Sequence, residues 1–344
     1  MSTGSYKLNE MSKTIEKTQE KNKLAEHLPQ NQIRVGVSAC LLGAKVRFDG
    51  GHKRDNFVAK VLSEYFDLVS YCPEVAAGLG TPRPTIRLVG DIESPRVVGV
   101  KDASLDVTQQ LRDYSRSACS DMDDLCGFIV KRGSPSCGLE RVKVYNDKGH
   151  PQAGGGTGVF TTELLRSHPL MPVEEEGRLN DASIRENFMT RVYVFARWKA
   201  LMANGLTKGG LQAFHAQHKY LLMAHSQEGY RELGRMLANL KQADLQTLAD
   251  DYIAGLMTYL QQRSNRKRHA NVLQHLLGYL RRGLDEIERA DLVETIDAYR
   301  RGLHPLVVPI KMLKHHFRKH PDAYIDQQVY LNPHPYELGL RNQI

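Results

Sequence analysis

The sequence predicts an α/β N-terminal domain, with a small doubly wound, Rossmann-like sheet, followed by an all-α helical bundle domain. Three β-prone runs between residues 33 and 130 alternate with helical stretches, which is the pattern of a parallel sheet covered by helices. From residue 184 to about residue 319, apolar residues recur at helical spacing with almost no strand signal. The length of 344 residues also suits two domains better than one.

The first half is predicted as strand, helix, strand, helix and strand. The strands are expected over residues 33–37, 66–71 and 127–130, and the helices over 57–65 and 107–119. Each strand ends close to a cysteine, namely Cys40, Cys72 or Cys137. Open α/β sheets build their sites at the carboxyl ends of the strands. We therefore expect the three cysteines to meet at one edge of the sheet.

The chain divides into three parts by composition. Residues 1–31 are rich in charged and amide side chains, and we expect a disordered tail there. The α/β domain is assigned to residues 32–176, with its junction at the acidic run of residues 174–177. Residues 177–344 form the helical domain, for which we expect about five or six helices.

Composition predicts a cytoplasmic protein with no membrane partner. No segment reaches the roughly 18 to 20 apolar residues that a membrane span needs, and the polar N-terminus lacks the apolar run of a signal peptide. Five cysteines, an odd number without regular spacing, make a poor disulfide framework and are free to bind metal in a reducing compartment.

Charge is unevenly distributed along the chain. Residues 1–177 carry 23 basic and 23 acidic side chains, whereas residues 178–344 carry 24 and 16, so the whole net charge of +8 lies in the second half. A basic domain indicates either a polyanion such as RNA or merely a soluble basic surface. The candidate RNA-binding residues are Arg263, Arg266, Lys267, Arg268, Lys311, Lys314, Arg318 and Lys319. No obligatory protein partner is inferred.

Three converging thiolates favour a soft metal, either zinc or an iron–sulfur cluster. A four-iron cluster held by three cysteines leaves one iron open to a substrate atom. The alternative is that the cysteines are small buried apolar residues. Turn residues beside Cys72 and Cys137, such as Pro73 and Gly138, favour ligands. Cys119 and Cys126 have apolar neighbours and are predicted to be structural.

The motifs around these cysteines resemble the thiouracil desulfurase family over roughly residues 33–165. They are the runs at 37–43 and 46–50, Cys72-Pro73-Glu74 with Pro82-Arg83-Pro84, and the run at 134–138. The resemblance implies a [4Fe-4S] cluster with Cys40, Cys72 and Cys137 as ligands, whose open iron takes the sulfur. The chain departs from the family where Thr85-Ile86-Arg87 stands in place of an acidic residue, so we expect a different pocket wall, which makes free thiouracil the less favoured substrate.

The second half resembles a helical domain of once-unknown function that is often fused behind desulfurases. The resemblance rests on segments such as 214–226, 268–275 and 330–333. The combination is similar to the tRNA 4-thiouridine desulfidases, which implies an enzyme that converts 4-thiouridine in tRNA to uridine, with a helical domain that helps to bind the RNA. Two alternatives stay open: a desulfurase of free thiolated pyrimidine bases or nucleosides, and a non-catalytic metal-containing RNA-binding module.

Replacement of sulfur by oxygen requires a carboxylate that deprotonates water. Glu74 is the first candidate, although a turn carboxylate that caps a helix would look the same. Asp49 is the second, with a structural turn before a glycine as its alternative. Ser134 and Ser136 are predicted to hydrogen-bond the base or its sulfur, or else to shape the turn around Pro135.

The helical half also contains histidines at helical spacing. His215, His218 and His225 share one predicted helix face, which is compatible with a metal site. Packing or phosphate contact is the interpretation that we favour for them.

Overall fold

The computed structural model describes residues 33–240 and 244–344. The chain forms two compact units, which divide between Ala196 and Arg197. The tail predicted over residues 1–31 lies outside the described residues. The unit up to Ala196 contains the strands, and the unit from Arg197 onward is helical. The predicted fold class is confirmed in both halves.

Seven strands belong to the part of the first unit that the structure describes. They are β1 (Arg34–Ser38), β2 (Asp67–Tyr71), β3 (Ile86–Val89), β4 (Arg96–Gly99), β5 (Leu125–Val130), β6 (Val144–Tyr145) and β7 (Val173–Glu175). The main sheet has the order β2-β1-β5-β7, and all its pairs are parallel. Its first three strands in sequence were predicted, and β1 lies between the other two. A second sheet of order β4-β3-β6, which was not predicted, packs around Leu88, Val97 and Val144.

An aromatic cluster joins the middle strands of the main sheet. Phe128 of β5 lies 5.5 Å, between ring centroids, from both Tyr71 and Phe160. Its ring covers Gly36 of β1 so closely that an added Cβ would lie 2.2 Å from a ring carbon. A glycine at this position is therefore required for β1 and β5 to pack with the phenyl ring between them.

The helices of this unit pack on both sheets, since Phe160 lies against Phe128 of the main sheet and Leu111 packs in the core of the second sheet. These helices are α1 (Pro73–Ala76), α2 (Thr108–Ser120), α3 (Val159–Ser167) and the first part of α4 (Ala182–Ala203). The helix expected over 57–65 is a π-helical turn over Phe57–Val61 followed by a 3-10 turn over Leu62–Glu64.

The first compact unit extends beyond the junction expected at residues 174–177. Residues 173–175 form the buried strand β7 at the sheet edge. Helix α4 then packs on the sheet, since Val192 lies against Gly127 and the ring of Tyr193 lies 5.5 Å from that of Phe66. The polar run at 174–177 is part of the α/β core rather than a linker, because its carboxylates have partners there.

The second unit contains more helices than the five or six expected. Within the described residues these are α5 (Lys208–His225), α6 (Gln227–Ala238), α7 (Leu245–Gln261), α8 (Arg266–Tyr279), α9 (Glu286–Arg301), α10 (Val307–Lys319) and α11 (Ala323–Asp326). Six of them begin after a polar residue whose side chain accepts a hydrogen bond from the first turn, namely Thr207, Ser226, Asp244, Asn265, Asp285 and Asp322. None of the described helices is long and apolar enough to cross a membrane.

The histidines of α5 are packing residues. His218 is 1% exposed, its ring stacks on Phe214 at a centroid distance of 4.0 Å, and its Nδ1 lies 2.7 Å from the Phe214 carbonyl oxygen. Burial, followed by the positive charge of Arg197, lowers the pKa of His218 from 6.5 to about 3. Because the imidazole of His218 binds a proton more readily in the unfolded chain, this histidine destabilises the fold as the pH falls.

We expect the free energy of unfolding of the helical unit to fall by about 2 kcal/mol between about pH 8 and about pH 5 through His218 alone. The free energy of unfolding begins to fall near pH 6.5, the pKa of His218 in the unfolded chain, and continues to fall toward its folded pKa of about 3. Trp198, the single tryptophan, reports this unit because its ring lies 5.3 Å from Phe214. His218→Phe should flatten the pH dependence of unfolding followed by its fluorescence, and His315→Gln, at an exposed position, should not. An equal slope in all three proteins would contradict this assignment.

Candidate active site

Three cysteines line one cavity at the carboxyl edge of the main sheet. Cys40 lies in the 3-10 turn directly after β1, Cys72 directly follows β2, and Cys137 lies in the loop after β5. These three strands are neighbours in the sheet, so their ends open onto the same space. The cavity has a volume of about 280 Å³, and all three cysteines line it together with Glu74, Ser134 and Ser136. The structure therefore brings together six of the seven predicted ligand and catalytic residues.

Burial favours the protonated form of the three thiols. It raises the pKa of Cys40 to about 11, where Arg47 partly offsets the effect, and raises the pKa of Cys137 to about 12. The pKa of Cys72 is raised for the same reason. Buried thiols become thiolates when a bound metal supplies the compensating charge. Three such thiols in one cavity fit an iron–sulfur cluster, in which each thiolate binds a different iron.

Cys, His, Asp and Glu side chains of the described residues form no group of three that would hold a single metal ion. The predicted metal spacing of His215, His218 and His225 thus corresponds to no such group in the part of the chain that the structure describes. His225 is buried, and its Nδ1 lies 2.7 Å from the Gln262 carbonyl oxygen.

Glu74 is fixed by three partners at the cavity wall, namely Arg83, Ser136 and Ser134, whose hydroxyl donates to Oε1 at 3.4 Å. Arg83 donates from Nε to Oε2 at 2.8 Å and also from Nη2 to the same oxygen. Ser136 donates to Oε1 at 2.6 Å, and Ser134 lies 2.9 Å from Ser136 between hydroxyl oxygens. Arg83 and Glu74 side chains are only 4% and 13% exposed, so this ion pair is strongly shielded from water. Glu74 caps no helix with its side chain, although it lies in the first turn of α1.

Arg83 belongs to the Pro82-Arg83-Pro84 motif, and the sequence alone indicated no role for its side chain. Its Nη1 also donates to the carbonyl oxygens of Val46 and Gly80, at 2.9 Å each. Val46 is next to the cysteine site, since the Cys72 thiol lies 3.9 Å from the same carbonyl. Arg83 thus ties the Glu74 carboxylate to the loop that covers Cys72. Its position between two prolines, which restrict the backbone on both sides, was the signal available in the sequence.

Arg47 is a second residue that the sequence did not single out. It lines the cavity, and its Nε atom is buried without a hydrogen-bond partner among the described residues. Its charge is the largest influence that favours the thiolate of Cys40. The Arg47 side chain is 22% exposed, and its Nε lies 3.8 Å from a carboxylate oxygen of Asp49. A cationic donor whose Nε makes no hydrogen bond to the described residues fits a site that receives a negatively charged group.

The loop that carries Cys137 is anchored by the acidic run at the end of β7. Glu175, which is 2% exposed, accepts a hydrogen bond from the backbone N–H of Leu139 at 3.0 Å. Glu176 accepts from the backbone N–H of Arg132 at 2.7 Å and pairs with the Lys131 side chain. These carboxylates hold both ends of the loop between β5 and Cys137.

Close packing fixes the other side of the same loop. Gly158, just before α3, approaches Ser136 so closely that a Cβ would lie 2.5 Å from the Ser136 carbonyl carbon. Thr161 of α3 donates to the carbonyl oxygen of Cys137 at 2.6 Å. The position of the Cys137 thiol is therefore set by α3 as well as by β5.

Asp49 is placed differently from the other candidates. Asp49 is exposed and is not among the described residues that line the cavity. It accepts a hydrogen bond from the backbone N–H of Gly51 at 3.0 Å. This bond, more than the neighbouring Arg47, holds the pKa of its carboxyl below the usual value. The geometry is that of a turn aspartate.

The pocket wall contains the segment in which the chain departs from the family pattern. Thr85 and Ile86 line the cavity, and the guanidinium of Arg87 lies over the Tyr145 ring at 5.1 Å. Cys119 lies in α2 and Cys126 in β5, and neither is among the residues described around the cavity.

The predicted RNA-binding residues lie on α8, on α10 and in the loop before α8. Arg263, Arg266, Lys267, Lys311, Arg318 and Lys319 are exposed. Arg268 donates from Nη1 to the carbonyl oxygen of His225, and the Lys314 ammonium donates to the Asn332 side chain. Part of the predicted basic set is thus engaged within the helical unit.

Comparison with known proteins assigns each half separately. Residues 35–176 match the family described as 2-thiouracil desulfurase, and residues 219–335 match a family described as a protein of unknown function, DUF1722. The uncharacterized Escherichia coli protein YbgA is 34% identical over 158 residues, which cover 46% of this chain and 94% of YbgA. The uncharacterized Bacillus subtilis protein YbbK is 28% identical over 151 residues, which cover 42% of this chain and 97% of YbbK.

One similar solved structure is described as the [4Fe-4S]-dependent thiouracil desulfidase TudS. It is 34% identical, covers 43% of this chain and 94% of its own, and has a TM-score of 0.35. The resemblance predicted for both halves is confirmed by the two family matches. Residues 35–176 therefore belong to the 2-thiouracil desulfurase family, an enzyme family acting on thiolated pyrimidines, and residues 219–335 belong to the DUF1722 family.

Proposed function

We propose that the protein removes sulfur from 4-thiouridine in tRNA, using a [4Fe-4S] cluster held by Cys40, Cys72 and Cys137. The observation that carries the proposal is the cavity in which three cysteines, Cys40 and Cys137 buried and Cys72 half-buried, face a carboxylate fixed by Arg83 and Ser136. When bound, the cluster supplies an iron without a cysteine ligand, which is thiophilic and acts as a Lewis acid for sulfur.

Glu74 is the group that handles the proton of the attacking water. Arg83 occupies its Oε2 and Ser136 its Oε1, so the carboxylate is held in one orientation before substrate arrives. Water adds to the ring carbon that bears sulfur and loses its protons, the carbon–oxygen double bond forms, and sulfur leaves as sulfide. The exchange of sulfur for oxygen needs no net electron transfer.

The positive wall of the cavity stabilises the leaving group. Arg47 has a buried Nε without a hydrogen-bond partner among the described residues, and Lys53, Lys131 and Arg132 also line the space. Lys131 pairs with Glu176 and Arg47 lies 3.8 Å from Asp49, but the Arg47 Nε makes no hydrogen bond among the described residues and is available to an anion. This is consistent with a reaction that releases sulfide.

The helical unit supports tRNA as the substrate. All the excess positive charge of the chain lies after residue 177, and a small base needs no such surface. A free thiolated pyrimidine is the second candidate, since the family description names 2-thiouracil and a cavity of about 280 Å³ admits a single ring. The target base of an RNA has to leave its stack to reach this cavity.

Replacement of Cys40, Cys72 or Cys137 by alanine should abolish bound iron and activity, because the cluster then loses one of three thiolate supports. Iron and sulfide analysis after anaerobic purification, with absorbance near about 400 nm, measures this loss. Cys119→Ala and Cys126→Ala are the matched controls and should retain the iron. Full iron content in a variant of the first set would contradict its assignment as a ligand.

Glu74→Gln should retain the cluster and lower the rate of desulfidation by about 10² to 10⁴, the usual effect of removing a positioned acid–base group. The assay compares single-turnover rates on thiolated tRNA at equal iron content. Asp49→Asn, at an exposed turn, should change the rate far less. A reversed order of the two variants would assign the base to Asp49.

Binding of tRNA should weaken steeply with salt, whereas turnover of a free thiolated pyrimidine, where detectable, should depend little on salt. Each phosphate neutralised by the protein adds about 0.9 to the slope of log affinity against log salt concentration for duplex nucleic acid. Measurements at several ionic strengths with the full chain test this. Equal salt dependence for both substrates would favour the free base as the substrate.

A further inference from the structure

Two tyrosines and three arginines form a surface at one end of the helical unit, which we call the tyrosine–arginine surface: Tyr279, Arg281, Arg282, Arg318 and Tyr324. Tyr279 ends α8 and is 43% exposed. Its ring stacks on that of Tyr324 in α11, with centroids 6.0 Å apart and planes at 22°. The two rings thus present one aromatic face.

These rings are held in place from below. The hydroxyl of Tyr220, a buried residue of α5, donates to the hydroxyl of Tyr279 at 3.3 Å. The ammonium of Lys219 lies 5.1 Å from the ring centroid of Tyr220 and 5.8 Å from that of Tyr324. The cation at the Tyr324 ring and the hydroxyl partner of Tyr279 restrict the motion of the two rings. The aromatic face is therefore prepared before any ligand binds.

Arg281 and Arg282 follow Tyr279 by two and three residues, and the end of α10, which carries Arg318, packs on the turn after α8. Gly283 lies so close to His320 that an added Cβ would be 2.6 Å from the imidazole Cγ. Arg281 and Arg282 directly precede this contact, and Arg318 is two residues before His320. All three arginines are exposed, and their guanidinium groups form no ion pair among the residues that the structure describes.

Most carboxylates nearby have partners of their own. Asp285 accepts from the backbone N–H of Glu288 at the start of α9, and Asp322 accepts from two N–H groups at the start of α11. Glu288 pairs with Lys319 at 3.5 Å. Asp326, whose pKa is raised first by burial and then by Asp322, is the remaining carboxylate next to Tyr324. The positive charge of the arginines is left largely uncompensated.

We propose that the tyrosine–arginine surface binds an unpaired nucleotide of the tRNA, with the base stacked on Tyr279 and adjacent phosphates contacted by Arg281, Arg282 and Arg318. Aromatic side chains beside uncompensated arginines suit RNA, since bases stack on the rings while the cations neutralise the backbone. The inference rests on the proposed function and identifies where the helical unit holds its substrate.

This surface is different from the basic run at residues 266–268. That run begins α8, whereas Tyr279 ends it, and a helix of 14 residues separates its ends by about 20 Å. Arg268 is engaged by the His225 carbonyl, and the guanidinium of Arg266 lies against Gly302. The free charge and the aromatic face therefore coincide only at the other end of the helix.

The stacking contact is tested by the affinity of the cluster-loaded full chain for thiolated tRNA. Tyr279→Ala should weaken binding about 5- to 150-fold, the effect of losing one stacked base. Tyr279→Phe, which retains the ring, should stay within about twofold of the unchanged protein, on the same scale. Tyr336→Ala, at a tyrosine that is 60% exposed, is the control and should bind normally.

The arginines are tested by the salt dependence of binding. Arg281→Gln combined with Arg282→Gln should reduce the slope by about one to two, because phosphate contacts are lost. Arg300→Gln combined with Arg301→Gln removes the same charge from two arginines that pair with Asp297, and should leave the slope almost unchanged. Desulfidation of a free thiolated pyrimidine should be the same in all these variants.

Direct stacking is detected by fluorescence after Tyr279→Trp. The natural Trp198 is buried, so the introduced indole provides the exposed emission, and tRNA should quench it. Normal tRNA binding by Tyr279→Ala and by the Arg281–Arg282 variant, without quenching, would overturn the tyrosine–arginine surface and leave the proposed function intact. Failure of the unchanged protein to bind or desulfurate tRNA would overturn both.

Discussion

Parallel pairing of β1 with β2 on one side and β5 on the other is the constraint on which the site depends. It directs three strand ends to one edge, so that residues as distant in sequence as Cys40, Cys72 and Cys137 line one cavity. Gly36 under the Phe128 ring allows this pairing, because any side chain there would separate β1 from the core. The chemistry is thus built on the rigid centre of the sheet, where displacement of a thiol requires displacement of a strand.

The carboxylates of the first unit act in two ways, as a chemical group and as anchors. Glu74 faces the cavity and is oriented by Arg83, whereas Glu175 and Glu176 turn away and bind backbone N–H groups of the Cys137 loop. A buried carboxylate is stable only with such partners. The same physical requirement therefore shapes the reactive residue and supports the loop beside it.

The helical unit contains polar side chains that serve packing and others that are free for a partner. His218 is buried and stacks on Phe214, and Arg268 donates to the His225 carbonyl oxygen. In a sequence, a histidine or an arginine at such a position suggests contact with a ligand. Tyr279 and its neighbouring arginines are exposed on a platform that Tyr220 and Lys219 hold rigid. Which residue belongs to which class depends on neighbours from other helices.

The sequence by itself determined the fold class, the strands that carry the three cysteines and the helical character of the second half, because periodicity and turn residues are local properties. Only the tertiary structure decided that Arg83 holds Glu74, that Arg47 lines the cavity, that Asp49 lies in an exposed turn, and that residues 173–175 form a strand. Each of these depends on contacts between segments far apart in the chain, and such contacts leave no periodic signal in the sequence.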